Sequence, residues 1–242
     1  LLFSDVTQHN TTQHNTTQHN TPTVAQFIHM SSVAASPDSP SAWARSKYHG
    51  EEAVKTAFPD ATIIKASQLF GPEDKLLNWF AIAARALPFI PMPNEGESLS
   101  KPVYMGDVAK AIAKMIGQYR GTRGKTYVLE GNDDYTYSEL ASFVYDITTQ
   151  TPAIPPLPNS VVKGIGSLMG KQPNPLFTED QVELWSTDYL YSGDYEGVRT
   201  FKDLDIEPTP MEKEAFRYLH QYKPGGHFAM VDTYVGHVDS KK

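Results

Sequence analysis

The chain has 242 residues, of which 40% are apolar and 20% charged, a balance typical of a globular protein with a hydrophobic core. Lysine and arginine total 21 against 28 acidic residues, and a net charge of −7 argues against a nucleic-acid binder, which normally carries a clustered basic surface. Cysteine is absent, which excludes disulfides, thiolate metal sites and a cysteine nucleophile. No apolar run reaches the roughly 18 residues of a membrane-spanning helix.

The first segment, residues 1–23, is dominated by a repeat. The pentapeptide TQHNT occurs three times between residues 7 and 21. Its side chains offer little apolar area for burial, so we predict that residues 1–23 are disordered. His9, His14 and His19 recur at every fifth position, a spacing that neither a helix nor a strand brings onto one face, and no metal site is predicted there.

From residue 24 the pattern changes to alternating strands and helices. The predicted elements are a buried strand at 24–30 ending in Ser31 and Ser32, a helix at 42–57, and a strand at 61–66 followed by a loop at 67–72. Strand, helix and strand in this order indicate a parallel α/β unit. His29 lies inside the first strand, and we interpret it as a buried histidine with satisfied hydrogen bonds rather than a ligand.

The rest of the chain predicts further elements of both kinds. We expect helices at 76–87, 107–119 and 159–170, an extended segment at 101–105 and a strand at 125–130. Three more helices are predicted from their N-terminal caps, namely Thr136 with Glu139, Thr178 with Gln181, and Thr209 with Pro210 and Glu212. Asp107 is interpreted as a helix cap rather than a catalytic acid. Residues 223–242 predict a tail that needs a partner surface to be ordered.

Several short strings carry a resemblance to a known family. Ser31-Ser32, the spacing of Trp43 and Lys47, and Gly50-Glu51 resemble the second half of an extended short-chain dehydrogenase/reductase domain. The strings FIHMS at 27–31, FGPED at 70–74 and KPVY at 101–104 are more closely similar to an accessory subunit of mitochondrial respiratory complex I, the alpha-subcomplex subunit nine family. This resemblance covers roughly residues 24–222.

The resemblance implies a fold class and a division of the chain. It implies an α/β fold, the C-terminal part of a Rossmann-like dehydrogenase domain at residues 24–222, with a small mixed α/β lobe. By the same resemblance, we expect the first half of the sheet, with its glycine-rich cofactor turn, to be absent from the chain. The glycines of GIGSLMG at 164–170 have the wrong spacing for such a turn and are interpreted as small residues on the packing face of a helix.

The resemblance also supplies a chemical test. Active members of the superfamily use a tyrosine phenol as general acid and base, with a lysine one helical turn later lowering its pKa. Trp43 occupies that position here, and an indole N–H is a hydrogen-bond donor that does not ionise in the accessible pH range. None of the 13 tyrosines has a lysine four positions later. The sequence therefore predicts that the chain is not an enzyme and has no catalytic residues.

A structural nucleotide remains compatible with this interpretation. By resemblance, the residues that would contact the nicotinamide and ribose end of a bound NADPH are Ser31, Ser32, Lys47, Ala66, Ser67 and Leu69. Lys47 would bind the ribose hydroxyls, and Ser67 and Leu69 would lie near the nicotinamide. The alternative for Lys47 is a solvated lysine on a helix, and the alternative for Ser67 and Leu69 is an ordinary loop after a strand.

The function implied is structural. We expect a non-catalytic accessory subunit of complex I on the matrix side of the mitochondrial inner membrane, peripheral to the membrane, that stabilises the junction of the peripheral and membrane arms. Its partners would be other complex I subunits and a separate chain, or a missing segment, that supplies the first half of the fold. The alternatives are an active NAD(P)-dependent reductase or epimerase and a nucleotide-sensing regulator.

Overall fold

The structure is a computed structural model that describes residues 24–224. The predictions for residues 1–23 and for residues 225–242 of the tail lie outside the described residues. The strands are β1 (Ile28–Ser32), β2 (Thr62–Ala66), β3 (Leu69–Phe70), β4 (Leu99–Ser100), β5 (Val103–Tyr104), β6 (Thr126–Leu129) and β7 (Tyr135–Thr136). The helices are α1 (Ala42–Ala57), α2 (Leu77–Ala86), α3 (Met105–Gly117), α4 (Tyr119–Thr122), α5 (Tyr137–Thr148), α6 (Asn159–Met169), α7 (Glu179–Trp185) and α8 (Met211–Leu219).

The central sheet has the order β1-β2-β6, and both strand pairs are parallel. Side chains alternate between its two faces. On one face, Ile64, Tyr127 and Leu129 pack with Val108 and Met115 of α3. On the other face, Lys65 of β2 meets Glu51 of α1. The sheet thus lies between α1 and α3, and this confirms the predicted α/β class with a parallel sheet.

Strand β1 forms an edge of this sheet within the described residues. The Thr62 N–H donates to the Phe27 carbonyl at 2.8 Å, and the Val33 N–H donates to the Ala66 carbonyl at 3.1 Å. Since the peptide groups of a strand alternate in direction, those of Ile28 and Met30 point away from β2. The open edge of β1 therefore presents backbone donors and acceptors to which a further parallel strand could pair.

The second part of the fold is a mixed lobe built on an aromatic cluster. Two short sheets, β3-β5 (parallel) and β4-β7 (antiparallel), accompany helices α2, α5, α6, α7 and α8. The cluster is held by ring contacts of Trp185, whose ring centroid lies 5.0 Å from that of Tyr137 and 5.6 Å from that of Phe80. This lobe matches the predicted small α/β lobe.

Local sequence signals placed most helices well. Helix α1 has the predicted bounds, and Thr136 with Glu139 forms a complete capping box at α5. Thr178 accepts a hydrogen bond from the Gln181 N–H, as predicted for the start of α7. Gly166 also lies on a packing face, since a Cβ there would come within 2.9 Å of the Thr178 and Glu179 backbone, whereas Gly164 faces open space.

Three predictions of local structure were wrong. Strand β1 ends at Ser32 as predicted, but it begins only at Ile28 rather than at residue 24, and its first three residues are half-buried rather than buried. Pro210 rather than Thr209 occupies the N-cap position of α8, and no side chain caps that helix. The Thr209 N–H donates to the Asp107 carboxylate at 2.6 Å. Asp107 is not a cap either, since Tyr104 precedes the first residue of α3 and Asp107 lies in the first turn.

The Asp107 carboxylate links α3 to the segment before α8. Its side chain is fully buried, and it accepts hydrogen bonds from Lys110 at 2.8 Å and from the Thr209 N–H. Burial by itself raises its pKa, but these hydrogen bonds outweigh burial and hold the pKa below its ordinary value of 3.8. Because the folded-state pKa is the lower one, its stabilising contribution is complete above the unfolded value and is lost as the pH falls through the folded value.

We therefore expect Asp107→Asn to lower the free energy of unfolding by about 1–3 kcal/mol at neutral pH. The difference from the wild type should shrink as the pH falls below 3.8, where the wild-type carboxylate takes up its proton. Urea denaturation at a series of pH values measures both effects. Asp146→Asn on the exposed face of α5 is the control, with an expected change within about 0.5 kcal/mol. A destabilisation by Asp107→Asn that does not vary with pH would contradict this account.

Candidate functional site

A cavity of about 1030 Å³ lies where β1 and β2 end. One wall consists of the last residues of these strands and the first turns of α1. The other wall consists of α2, residues 174–178 and α7. Ligands of open parallel α/β sheets bind outside the carboxyl ends of the strands, so this cavity is the candidate site.

The sequence-predicted site residues all line this cavity. They are Ser31, Ser32, Lys47, Ala66, Ser67 and Leu69, and Trp43 lines it with them. The parallel pairing of β1 with β2 brings Ser32 level with Ala66 and thereby joins residues that are 34 positions apart. The structure therefore groups the predicted residues in one place, while their contact with a nucleotide stays a prediction.

Lys47 and Trp43 lie on the same face of α1, as their spacing predicts. The Lys47 ammonium is 5.5 Å from the centroid of the Trp43 ring and donates a hydrogen bond to the Met30 carbonyl at 3.3 Å. That carbonyl lies on the open edge of β1. The ammonium thus lies at the edge of the strand, beside the cavity, where it contacts a backbone carbonyl and an indole ring.

The two serines of β1 have different partners. Ser31 donates to the buried Glu51 carboxylate at 2.5 Å, which also lies 3.0 Å from the Lys65 ammonium. Ser32 forms a hydrogen bond at 2.6 Å with the hydroxyl of Tyr189, which is 157 residues away in the chain. Ser31 therefore helps to join α1 to the sheet, and Ser32 is the serine whose hydroxyl faces another residue of the cavity.

Sequence reasoning missed Tyr189 as a site residue. Its backbone N–H donates to the Leu99 carbonyl at 2.7 Å, and its ring packs 6.5 Å from the Trp43 ring. Burial raises the pKa of Tyr189 to about 12, although the Ser32 hydrogen bond opposes that shift. The phenol is thus protonated at neutral pH, and no local pattern around Tyr189 indicates this placement.

Asp180 of α7 is the second residue that sequence reasoning missed. Its carboxylate accepts hydrogen bonds from the backbone N–H of Ala42 at 2.6 Å and of Trp43 at 3.3 Å, and from the Ser41 hydroxyl at 3.0 Å. A carboxylate at a helix N-terminus satisfies free N–H groups and interacts favourably with the helix dipole. Asp180 therefore fixes the start of α1, and with it Trp43, against the opposite wall of the cavity.

Two of the buried polar atoms that lack a hydrogen-bond partner at or near the site belong to Ser67 and His29. The Ser67 hydroxyl, on a residue that is 3% exposed and lines the cavity, is one of them. The other is Nε2 of His29, so the prediction of a satisfied histidine was wrong. Burial and the nearby Lys47 ammonium lower the pKa of His29 and favour its neutral form, which is the form that tolerates the missing partner best.

The chain is similar in sequence to named proteins from several organisms. No family model matches it. It is 32% identical over 93% of its length to the Arabidopsis thaliana protein named NADH dehydrogenase (ubiquinone) 1 alpha subcomplex subunit 9, mitochondrial, of which it covers 57%. It is 36% identical over 83% of its length to the Rattus norvegicus protein of the same name, of which it covers 52%. The chain thus spans about half the length of these relatives, and the resemblance found in the sequence is confirmed.

A solved structure shows the same fold. A dTDP-glucose 4,6-dehydratase from Streptomyces venezuelae with NAD bound superposes with a TM-score of 0.58 at 18% identity, over 82% of this chain and 60% of that one. This similarity supports the predicted dehydrogenase-like fold and its partial extent. Across residues 24–224, no helix has both the length and the apolar character needed to cross a membrane.

Proposed function

We propose that this chain, a homologue of the alpha subcomplex subunit 9 proteins, is a non-catalytic accessory subunit of mitochondrial NADH:ubiquinone oxidoreductase, complex I. The names of its relatives support the assembly. The observation that carries the non-catalytic assignment is Trp43, which stands one helical turn before Lys47 at the cavity wall and cannot exchange a proton.

Tyr189, a tyrosine that lines the cavity, does not replace the missing general acid and base. Tyr189 is hydrogen-bonded to Ser32 and has a pKa near 12, too high for efficient proton exchange at neutral pH. Its hydroxyl also engages the serine that would otherwise orient a substrate oxygen. The arrangement can therefore hold a nucleotide but offers no group that completes hydride transfer with a matching proton transfer.

The residues present fit the nicotinamide and ribose end of a dinucleotide such as NADPH. Ser67 brings an unpartnered hydroxyl to the cavity, and Lys47 brings an ammonium that donates a hydrogen bond to the Met30 carbonyl. Ala66 and Leu69 complete the wall at the end of β2. A bound dinucleotide would supply hydride chemistry in an active enzyme, whereas here its binding would add stability to the folded subunit.

We expect Lys47→Met to weaken nucleotide binding about 10- to 100-fold, the loss that corresponds to one charge-assisted hydrogen bond. Equilibrium dialysis of the purified assembly with NADPH, and in parallel with NADH, measures the affinity. The control is Lys171→Met, at an exposed position outside the cavity, which should leave it unchanged. Unaltered affinity in the Lys47 variant would remove Lys47 from the proposed site.

The open edge of β1 supports the second part of the proposal, a separate chain or further segment that supplies the first half of the fold. The peptide groups of Ile28 and Met30 point away from β2, and a parallel strand added there would continue the sheet. Exposed parallel edges promote aggregation, so covering this edge is favourable.

The experiment that tests the proposed function is purification from mitochondria under native conditions. We expect this chain to co-purify with complex I subunits at the matrix face of the inner membrane, near the junction of its two arms. Cross-linking mass spectrometry should identify the chain next to β1. Recovery as a lone, stable protein would refute the assembly.

The alternative, an active reductase or epimerase, is tested on the same material. We expect no hydride exchange between isotopically labelled NADPH and a panel of carbonyl compounds above the rate without protein. Turnover that disappears in the Lys47→Met variant would refute the non-catalytic assignment.

A further inference from the structure

The half of the cavity remote from the strand ends has a different chemical character. Its wall contains Trp79 and Ile82 of α2, Leu176, and Leu184 and Trp185 of α7. The rings of Trp79 and Trp185 meet edge to face with centroids 4.8 Å apart. The Trp79 indole N–H donates to the Leu176 carbonyl, so this ring offers the cavity only apolar surface.

The mouth of the cavity is apolar as well. Trp43, Leu69 and Ile82 line it and are 39%, 37% and 41% exposed. Large apolar side chains that are grouped at an opening mark a binding site more often than a free surface. The remote half therefore combines an aromatic wall with the exposed apolar side chain of Ile82, and Trp43 and Leu69 add exposed apolar surface on the opposite wall.

The charges at the cavity do not suit a phosphorylated ligand in this half. Among residues 24–224, no arginine lines the cavity, although arginine is the residue that most often binds phosphate in two-point fashion. The acidic side chains that line it are Glu73, Asp74 and Asp180, against the lysines Lys47 and Lys75. A nucleoside-diphosphate sugar would meet more negative than positive charge in this cavity.

Two of these carboxylates are already committed to the fold. Asp180 binds the N-terminus of α1. Asp74 accepts hydrogen bonds from the N–H groups of Gly71, Leu76 and Asn78 and from the Tyr218 hydroxyl at 2.6 Å. Neither carboxylate is therefore available to recognise a cationic ligand. The third, Glu73, belongs to a solvent-exposed residue, and the apolar wall of the remote half favours an uncharged ligand.

The Asn78 side chain indicates that the ligand carries a hydrogen-bond donor. Its amide nitrogen donates to the carbonyls of Gly71, Pro72 and Asp74 at 3.2–3.5 Å, which fixes the orientation of the amide. Its Oδ1 is buried and has no partner, and Asn78 lines the cavity. A buried carbonyl oxygen without a donor is unfavourable, so a ligand that donates a hydrogen bond would relieve a cost already present.

We infer that the remote half of the cavity binds a neutral, mainly apolar molecule whose polar end carries a hydroxyl or amide donor for Asn78, such as a long-chain alcohol or amide. The apolar chain lies against Trp79, Leu184 and Trp185 and leaves through the mouth at Ile82. This ligand is additional to the nucleotide of the proposed function, which occupies the strand ends.

A photoreactive dodecanol that carries a diazirine in its chain tests the inference on the natively purified assembly. We expect cross-links on peptides 76–85 and 174–185 of this chain. Excess dodecanol or dodecanamide should suppress them, while dodecanoate and UDP-glucose should not. Ile82→Glu, which places a carboxylate at the mouth, should reduce labelling about tenfold. Ile116→Glu is the matched control, because Ile116 is 40% exposed on α3 and does not line the cavity.

Each outcome has a defined meaning. Labelling elsewhere in the chain, equal suppression by dodecanoate, or displacement by UDP-glucose would overturn the neutral-ligand inference. An absence of labelling in an assembly that retains its subunits and its nucleotide would overturn it too, and would leave the proposed function intact. Loss of the chain from complex I in the wild type is a failure of the proposed function instead, and it is read from the subunit composition alone.

Discussion

Replacing Glu51 by alanine is expected to lower the free energy of unfolding by about 3–5 kcal/mol, the cost of removing one partner of a buried ion pair. The Glu51 side chain is 1% exposed and lies 3.0 Å from the Lys65 ammonium, whose side chain is 16% exposed. It also accepts the hydrogen bond of Ser31 at 2.5 Å. The variant would leave an ammonium and a hydroxyl without their partner between α1 and the sheet.

The neighbouring residue provides the control for this experiment. Glu52→Ala removes an exposed carboxylate that pairs with Lys55 at 2.9 Å on the outer face of α1, and we expect a change of less than about 1 kcal/mol. Urea denaturation followed by circular dichroism measures both variants. A similar loss for Glu51→Ala and Glu52→Ala would show that the buried pair does not hold α1 to the sheet.

Trp185→Ala should destabilise the mixed lobe by a comparable amount, about 3–5 kcal/mol. The indole is 3% exposed and is in ring contact with Trp79, Phe80 and Tyr137 at centroid distances of 4.8, 5.6 and 5.0 Å. Its removal leaves a void at the centre of the cluster, which the flanking helices cannot close without losing their own contacts. Thermal unfolding followed by circular dichroism measures the loss without relying on tryptophan fluorescence.

A leucine on α6 gives the comparison for the tryptophan variant. Leu168 is 69% exposed, so Leu168→Ala should change stability by no more than about 0.5 kcal/mol. Trp185 also lines the remote half of the cavity, and its variant should therefore lose dodecanol labelling as well as stability. An unfolding temperature equal to that of Leu168→Ala would contradict the central position of Trp185 in the lobe.

The two walls of the cavity connect stability with the proposed function. The Glu51–Lys65 pair holds α1, which carries Trp43 and Lys47, and the aromatic cluster holds α2 and α7 opposite. Asp180 joins the walls through the start of α1. A subunit that holds ligands without transforming them needs this kind of rigid cavity, since its contribution to an assembly is the stability of the bound, folded state.

Several elements of the fold could be predicted from local sequence alone. The bounds of α1, the capping box at Thr136 and the parallel strand–helix–strand order depend on contacts within a few residues and on side-chain periodicity, which the sequence displays directly. That residue 43 is a tryptophan four positions before Lys47 is a matter of residue identity alone. The expectation that Ser32, Lys47 and Ser67 belong to one site came from the family resemblance, and all three line the same cavity.

Only the tertiary structure decided the remaining features of the site. The hydrogen bonds of Tyr189 with Ser32 and of Asp180 with Ala42 join residues separated by 157 and 138 positions, and no periodicity or cap in either segment signals such a pairing. The unpartnered Oδ1 of Asn78 is likewise visible only once its amide nitrogen is seen bound to three carbonyls. Local propensity encodes the elements, whereas the packing of distant elements determines which polar atoms find partners and which are left for a ligand.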